Sequence, residues 1–314
     1  MFSAVRDRLS RIERDRLSGA YDSLVAVLSE LDGSALKYFS KRLSKVGISA
    51  TRGFSRLVLP VFVFSLVDSF SPRFRMTTRS VVREYMALVD VLGDPEDRAS
   101  YYVLPEEVEV SFDSLKWISR LDDLAKARLA RAVALVAEVV FTGVEGLEDF
   151  AEKLCTAVMS RVGELYSPVE LEKKSAIVGM LLKSVSLGEP VEILRLSVLS
   201  LPGVEQRLAN LFLYYLVKVI LGSSQYFSSL HVPVEPQVSR PAVRVGLVPS
   251  LPTNPNFLSS RYREFQEVSK IMFPEDPSAV YSLKLVGMKY CRRTPLCDHC
   301  PLFPTCDYAL KISE

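Results

Sequence analysis

Four of the five cysteines in this chain fall within sixteen residues, as Cys291-Arg-Arg-Thr-Pro-Leu-Cys297-Asp-His-Cys300-Pro-Leu-Phe-Pro-Thr-Cys306. The spacing C-x5-C-x2-C-x5-C wraps a chain around one compact centre, and Pro295, Pro301 and Pro304 limit how far the loop wanders between ligands. A shell of four thiolates suits either Zn2+ or an iron–sulfur cluster, and ligand identity alone does not separate the two. The competing use of clustered cysteines is a disulfide framework. The N-terminus does not read as a signal peptide and the cysteines are bunched rather than spread, so a metal centre is the expectation. Cys155 lies on the apolar face of an expected helix and reads as a small core residue.

The run from Leu285 through Cys306 resembles the C-terminal iron–sulfur loop of the endonuclease III and adenine glycosylase family of DNA base-excision enzymes, although the family sets its first two cysteines one residue further apart. Upstream, Leu201-Pro-Gly-Val-Glu-Gln-Arg-Leu-Ala-Asn210 is similar to that family's helix-hairpin-helix, and Val232 to Val248 is similar to the segment that carries its catalytic aspartate. The three matches occur in family order and, with the helical stretch from Leu171, cover about the C-terminal half of the chain. The first hundred residues carry no such resemblance.

What the resemblance implies can be weighed residue by residue. A tight Pro-Gly turn between two helices directs backbone N–H groups and a helix N-terminus outward, where they bind phosphate without a basic side chain. It thus assigns DNA contact to Leu201, Pro202, Gly203 and Val204, with Glu205 where the family has a second glycine. Bifunctional members attack the sugar with a lysine at the position of Arg207; a guanidinium stays protonated and offers no lone pair, so Lys-type lyase chemistry is not expected. The matching catalytic carboxylate is Glu235, which would stabilise the positive sugar as the base leaves or deprotonate a water, with its charge displaced by one methylene from the family's aspartate. Pro236, Gln237 and Pro241 also depart from the family pattern, and the gap from Arg207 to Glu235 is longer. The bland alternative is that Arg207 and Glu235 survive only as an ion pair. No counterpart of the family's base-displacing glutamine appears in Lys126–Phe141, which reads as a buried apolar helix.

Charge is unevenly distributed. The net charge is +2, yet Lys37 to Arg83 holds ten basic residues against the single acid Asp68, leaving the rest of the chain net acidic. Lys41, Arg42, Arg73, Arg75 and Arg79, interleaved with Tyr38, Phe39, Phe54, Phe70 and Phe74, form the kind of footprint that phosphate contacts need. An acidic protein partner would use the same surface. The longest apolar run, Leu57–Val67, contains Pro60 and is too short to span a bilayer, so an intracellular, cytoplasmic and nucleoid-associated protein is expected. Asparagine and glutamine total seven residues, a scarcity in keeping with a thermophilic source.

The elements that must position these groups read as mainly α. Helical spacing runs over Phe2–Leu31, with Asp32-Gly33 as a stop, then over Ser34–Lys45 and Thr78–Leu92, the last ended by Gly93-Asp94-Pro95. Val108–Phe112 alternates and is expected to be a short strand; helices resume from Ser114 and recur at Lys174–Val185, Glu192–Leu199 and Arg261–Met272. Trp117 is expected in the core, His299 in an exposed loop, and His231 in packing. The expected organisation is a basic helical region over 1–98, a helix-hairpin-helix glycosylase-like helical domain over 99–284, and an iron–sulfur loop over 285–314. The resemblance implies a [4Fe-4S] cluster, with Zn2+ as the alternative, and double-stranded DNA, damaged or abasic, as partner. Function is expected to be monofunctional glycosylase chemistry at Glu235, or DNA binding without cutting, alone or within a repair or replication assembly.

Overall fold

A computed structural model describes residues 20–92 and 104–309. Among these residues every regular element is helical and no strand occurs. They divide into two compact units, one formed by residues 40–223 and the other, discontinuous in sequence, by 20–39 together with 224–309. The first helix, α1 (Ala20–Ser44), contributes to both.

Along the chain, the unit of residues 40–223 holds α2 (Phe54–Phe70), α3 (Thr78–Leu92), α4 (Pro105–Ser114), α5 (Asp123–Phe141), α6 (Leu147–Ser160), the single turn α7 (Val162–Leu165), α8 (Pro168–Leu187), α9 (Pro190–Leu199) and α10 (Gln206–Leu213). The chain of α10 runs on as a π-helix over Tyr214–Leu221 and stops at Gly222, whose φ of 60° is left-handed. The centre is α2, in which every residue from Leu57 to Asp68 is buried. The longest apolar run of the sequence is therefore a core helix covered on all sides, and no described helix is long and apolar enough to cross a membrane. Helices α3, α5 and α10 pack on α2, while α9 lies against α6, α8 and α10. Aromatic edges lock these contacts: Phe62 meets Phe212 at 5.5 Å, and Phe64 meets Tyr85 and Tyr215 at 5.5 and 5.7 Å.

Two sequence expectations are corrected. The segment Val108–Phe112 is not a strand but the middle of α4, since its buried residues Val108, Ser111 and Phe112 follow helical rather than alternating spacing. Pro105 supplies the first turn and the Glu107 carboxylate accepts the Leu104 N–H at 3.2 Å, which satisfies a donor that the helix leaves open. Likewise Asp32-Gly33 does not end α1. The buried positions Leu24, Leu28, Ala35, Phe39 and Leu43 continue one apolar stripe through it, and that burial outweighs the cost of about 1 kcal/mol for a mid-helix glycine. The helix over Thr78–Leu92 is present as read. The expected helix before residue 20, the Gly93-Asp94-Pro95 stop and the 98/99 boundary lie outside the described residues. The compact units are cut at 39/40 and 223/224, following packing, whereas the sequence boundaries followed a turn signal and the resemblance of the C-terminal loop.

The second unit adds α11 (Pro236–Arg244), α12 (Ser260–Met272) and α13 (Leu283–Lys289), with 3-10 turns at Ser224–Ser229, Pro277–Ser282, Cys297–His299 and Phe303–Thr305. Ser259 caps α12 by accepting the Tyr262 N–H at 3.2 Å. The side-chain amide of Gln266 on α12 exchanges both hydrogen bonds with the backbone of Val232, at 2.8 and 3.0 Å, and so anchors the extended approach to α11. Helices α11 and α13 touch backbone to backbone: a Cβ added at Gly287 would lie 1.9 Å from the Gln237 carbonyl oxygen. That carbonyl is the one Pro241, inside α11, has no N–H to bond, so the proline opens the helix surface where α13 comes closest.

Candidate cysteine-lined metal centre and its charged surroundings

The C-terminal loop is a sequence of tight turns. Cys291 N–H bonds back to the Val286 carbonyl at 2.8 Å, Cys300 N–H to Cys297 at 2.9 Å, and Cys306 N–H to Phe303 at 3.3 Å. These turns bring Cys291, Cys297, Cys300 and Cys306 to the wall of one cavity, shared with Arg244, Phe303 and Tyr308. His299 is exposed and outside that wall. Burial pushes the thiols of Cys291 and Cys300 upward, and a hydrogen bond from Arg244 opposes it at Cys291.

Arg244 reaches the cavity from the end of α11. Its Nη1 lies 3.3 Å from Cys291 Sγ and donates to the Arg292 carbonyl at 2.8 Å, while its guanidinium sits 4.6 Å above the Tyr308 ring. Arg240, one turn earlier, donates to the Cys291 carbonyl at 2.9 Å. The turn that follows is equally close: Cys306 Sγ lies 3.5 Å from the Arg244 carbonyl, and Gly246 has φ 80° with Asp307 where a Cβ would go. Only glycine takes that conformation without strain.

Four thiols around one cavity, with a permanent cation on one of them, fit an anionic thiolate-bound centre. A single zinc ion needs sulfurs about 2.3 Å from one point, hence about 3.8 Å from each other. Among the described residues no three His, Cys, Asp or Glu side chains converge closely enough to hold a metal ion; the four cysteines line one shared cavity.

The other end of the same helix pair holds Glu235. It precedes α11, is fully buried, and its Oε1 accepts from the Tyr281 hydroxyl at 2.9 Å and the Lys284 ammonium at 2.8 Å. Lys284 also donates to Tyr281 Oη at 2.8 Å and lies over the Phe39 and Tyr281 rings, 5.4 and 5.2 Å from their centroids. Glu235 meets Lys284 where α11 and α13 begin, and Arg244 meets Cys291 where they end, so the two helices run parallel between the charge pair and the cysteine cavity. His231 packs on Phe257 and shares a 2.8 Å hydrogen bond with the Tyr262 hydroxyl.

In the unit of residues 40–223, α9 and α10 are joined by the predicted Pro-Gly turn. Leu201, Pro202 and Val204 are buried and Gly203 is exposed, with φ 71° and Arg128 and Leu129 so near that a Cβ would sit 3.2 Å from them. The turn is tied by Lys174 of α8, whose ammonium donates to the Leu199 and Val204 carbonyls at 2.5 and 2.9 Å. Burial pulls the Lys174 pKa down to about 8; Glu205 acts upward on it and Arg128 downward. Arg207 is buried and donates to the Asp68 carbonyl at 3.3 Å.

One expected DNA contact is corrected. Arg42 is buried, with its two Nη atoms on the Asp68 carboxylate at 3.2 and 2.8 Å and Tyr215 Oη donating to the same carboxylate at 2.6 Å. A buried cation needs such a partner, and a guanidinium committed to one is not offered to phosphate. Lys41, Arg73, Arg75 and Arg79 are exposed. Sequence reasoning passed over Lys174, Arg244, Tyr281 and Lys284. Arg244 alone carried a usable signal, being a cation on the helix that leads from the Glu235 segment. Compared with family models, curated proteins and solved structures, the chain matches none of them.

Proposed function

We propose that this chain is an iron–sulfur DNA-binding protein of the helix-hairpin-helix glycosylase type in which Glu235 has become a structural group rather than a catalyst. The observation that carries the loss of chemistry is the state of Glu235: fully buried, with one oxygen held by both Lys284 and Tyr281. A carboxylate buried and ion-paired in this way is shut off from the water it would have to activate. Arg207, at the position of the family's lysine, supplies no amine for Schiff-base chemistry. The α9–turn–α10 hairpin, with exposed Gly203 in a left-handed conformation, supports phosphate contact through the backbone.

Cys291, Cys297, Cys300 and Cys306 would hold the cluster, with Arg244 compensating its negative charge. Its chemistry here is that of a crosslink, fixing the 291–306 loop to α11. The likeness of the run from Leu285 through Cys306 to an iron–sulfur loop is what supports a cluster ahead of one zinc ion.

Single-turnover reactions on duplexes each bearing one lesion, followed by alkali, test the proposal. Wild type and Glu235→Gln are expected to leave every strand intact while binding duplex with affinities within twofold of each other. Breaks that form only after alkali and vanish in Glu235→Gln would establish a monofunctional glycosylase instead.

A further inference from the structure

The C-terminal end of α2 closes in an unusual way. Met76 N–H bonds to the Ser71 carbonyl at 2.8 Å and Arg75 N–H to Pro72 at 3.4 Å, a Schellman-type closure that puts Arg75 in the left-handed position where glycine is the usual residue. Its φ is 53°, and among the described residues no other non-glycine has a positive φ. Arg75 is exposed.

Beside it runs a ladder of rings. Phe70 and Phe74 lie 6.1 Å apart, and Phe74 and Trp117 6.2 Å apart, with interplanar angles of 37° and 31°. All three rings are partly exposed, so Trp117 is not the core residue the sequence reading expected. Cations frame the ladder: Arg73 stands 5.5 Å from the Phe74 centroid, and Arg120 and Lys116 stand 4.4 and 5.4 Å from that of Trp117. Nearby acids are otherwise engaged. Asp113 and Asp123 pair with Lys126, and Asp122 caps α5. The ladder is also held in place, because the buried Glu84 carboxylate accepts the Trp117 and Ile118 N–H groups at 2.7 and 3.0 Å.

Partly exposed aromatic residues carrying exposed guanidinium and ammonium groups over their rings match the chemistry of unstacked bases on a phosphodiester chain. Bases inside a duplex keep their faces covered, so this platform selects nucleic acid that is single-stranded. We infer that Phe70, Phe74 and Trp117, with Arg73, Arg75, Lys116 and Arg120, form a binding site for single-stranded nucleic acid. The inference rests on the nucleic-acid half of the function proposed above, and not on the state of Glu235.

Trp117 is the sole tryptophan of the chain, so its fluorescence reports on this site directly. The holoprotein is titrated with an oligothymidylate and with a blunt duplex, following tryptophan emission and the anisotropy of labelled strands. The single strand is expected to quench Trp117, to bind more weakly as salt rises, and to lose affinity by about fivefold or more in Trp117→Ala, read by anisotropy. Arg75→Gly is the variant that cannot be explained by misfolding: glycine relieves the left-handed position, so its Tm should rise while single-strand affinity falls. Single-strand binding without quenching, or with affinities within twofold of wild type in both variants, overturns the site. Duplex binding with no single-strand binding overturns it too, and leaves the earlier proposal standing; failure to bind either nucleic acid overturns both.

Discussion

Lys174 places one ammonium between the Leu199 and Val204 carbonyls and so closes the hairpin from behind. Replacing it with methionine removes the donor from both carbonyls, and the expected cost is about 1–3 kcal/mol, measured by chemical denaturation. The pH dependence carries a distinct sign. The folded pKa is about 8 against an ordinary lysine value of 10.5, so between those limits the unfolded chain binds the proton more and stability rises with pH at this residue. The Tm gap between wild type and Lys174→Met should therefore widen from pH 8 to pH 10; a gap that narrows would refute the assignment. The four cysteines were legible as a group because their ligand spacing is local. Lys284, Tyr281 and Lys174 were not. Glu235 meets partners 46 and 49 residues away, and Arg42 meets Asp68 across 26, separations at which a sequence records each residue and not the contact.

At the scale of elements, Gly287, where α13 meets α11, has the least room of the described glycines. Gly287→Ala forces a methyl group into the Gln237 backbone, which no side-chain rotation relieves. A loss of about 3 kcal/mol is expected, the upper part of the overpacking range. Gly179, inside α8 with open space around its Cα, is the matched control, and Gly179→Ala should stabilise by about 0.5–1 kcal/mol. Urea denaturation of both variants checks the pair. Helix signals were readable where caps and periodicity agreed, as at Ser259 before α12. They failed at α4 because Val-Glu-Val-Ser-Phe is too short to tell a period of 2 from one of 3.6; the deciding residues, Pro105 and Glu107, stand before it. They failed at Asp32-Gly33 because a local stop signal yields to an apolar stripe that continues on both sides.

At the scale of the whole molecule, two compact units imply two levels of stability. A cluster bound by Cys291, Cys297, Cys300 and Cys306 stabilises only the unit that contains them. Cys300→Ser is expected to abolish the visible absorbance and to raise amide hydrogen exchange over 224–309, with exchange in α2 and α10 unchanged within twofold. Equal loosening of both units would mean that they unfold as one. The discontinuity of the second unit also bears on how the chain is made. A ribosome delivers residues 40–223 as an uninterrupted stretch, and that unit can fold as it emerges. The α1 segment carrying Leu24, Leu28, Ala35 and Phe39 leaves the ribosome before all of it, yet its companions in the unit, residues 224–309, arrive only after it. While residues 40–223 are being made, the apolar stripe of that segment is without its covering, a stretch of nascent chain that a chaperone would hold.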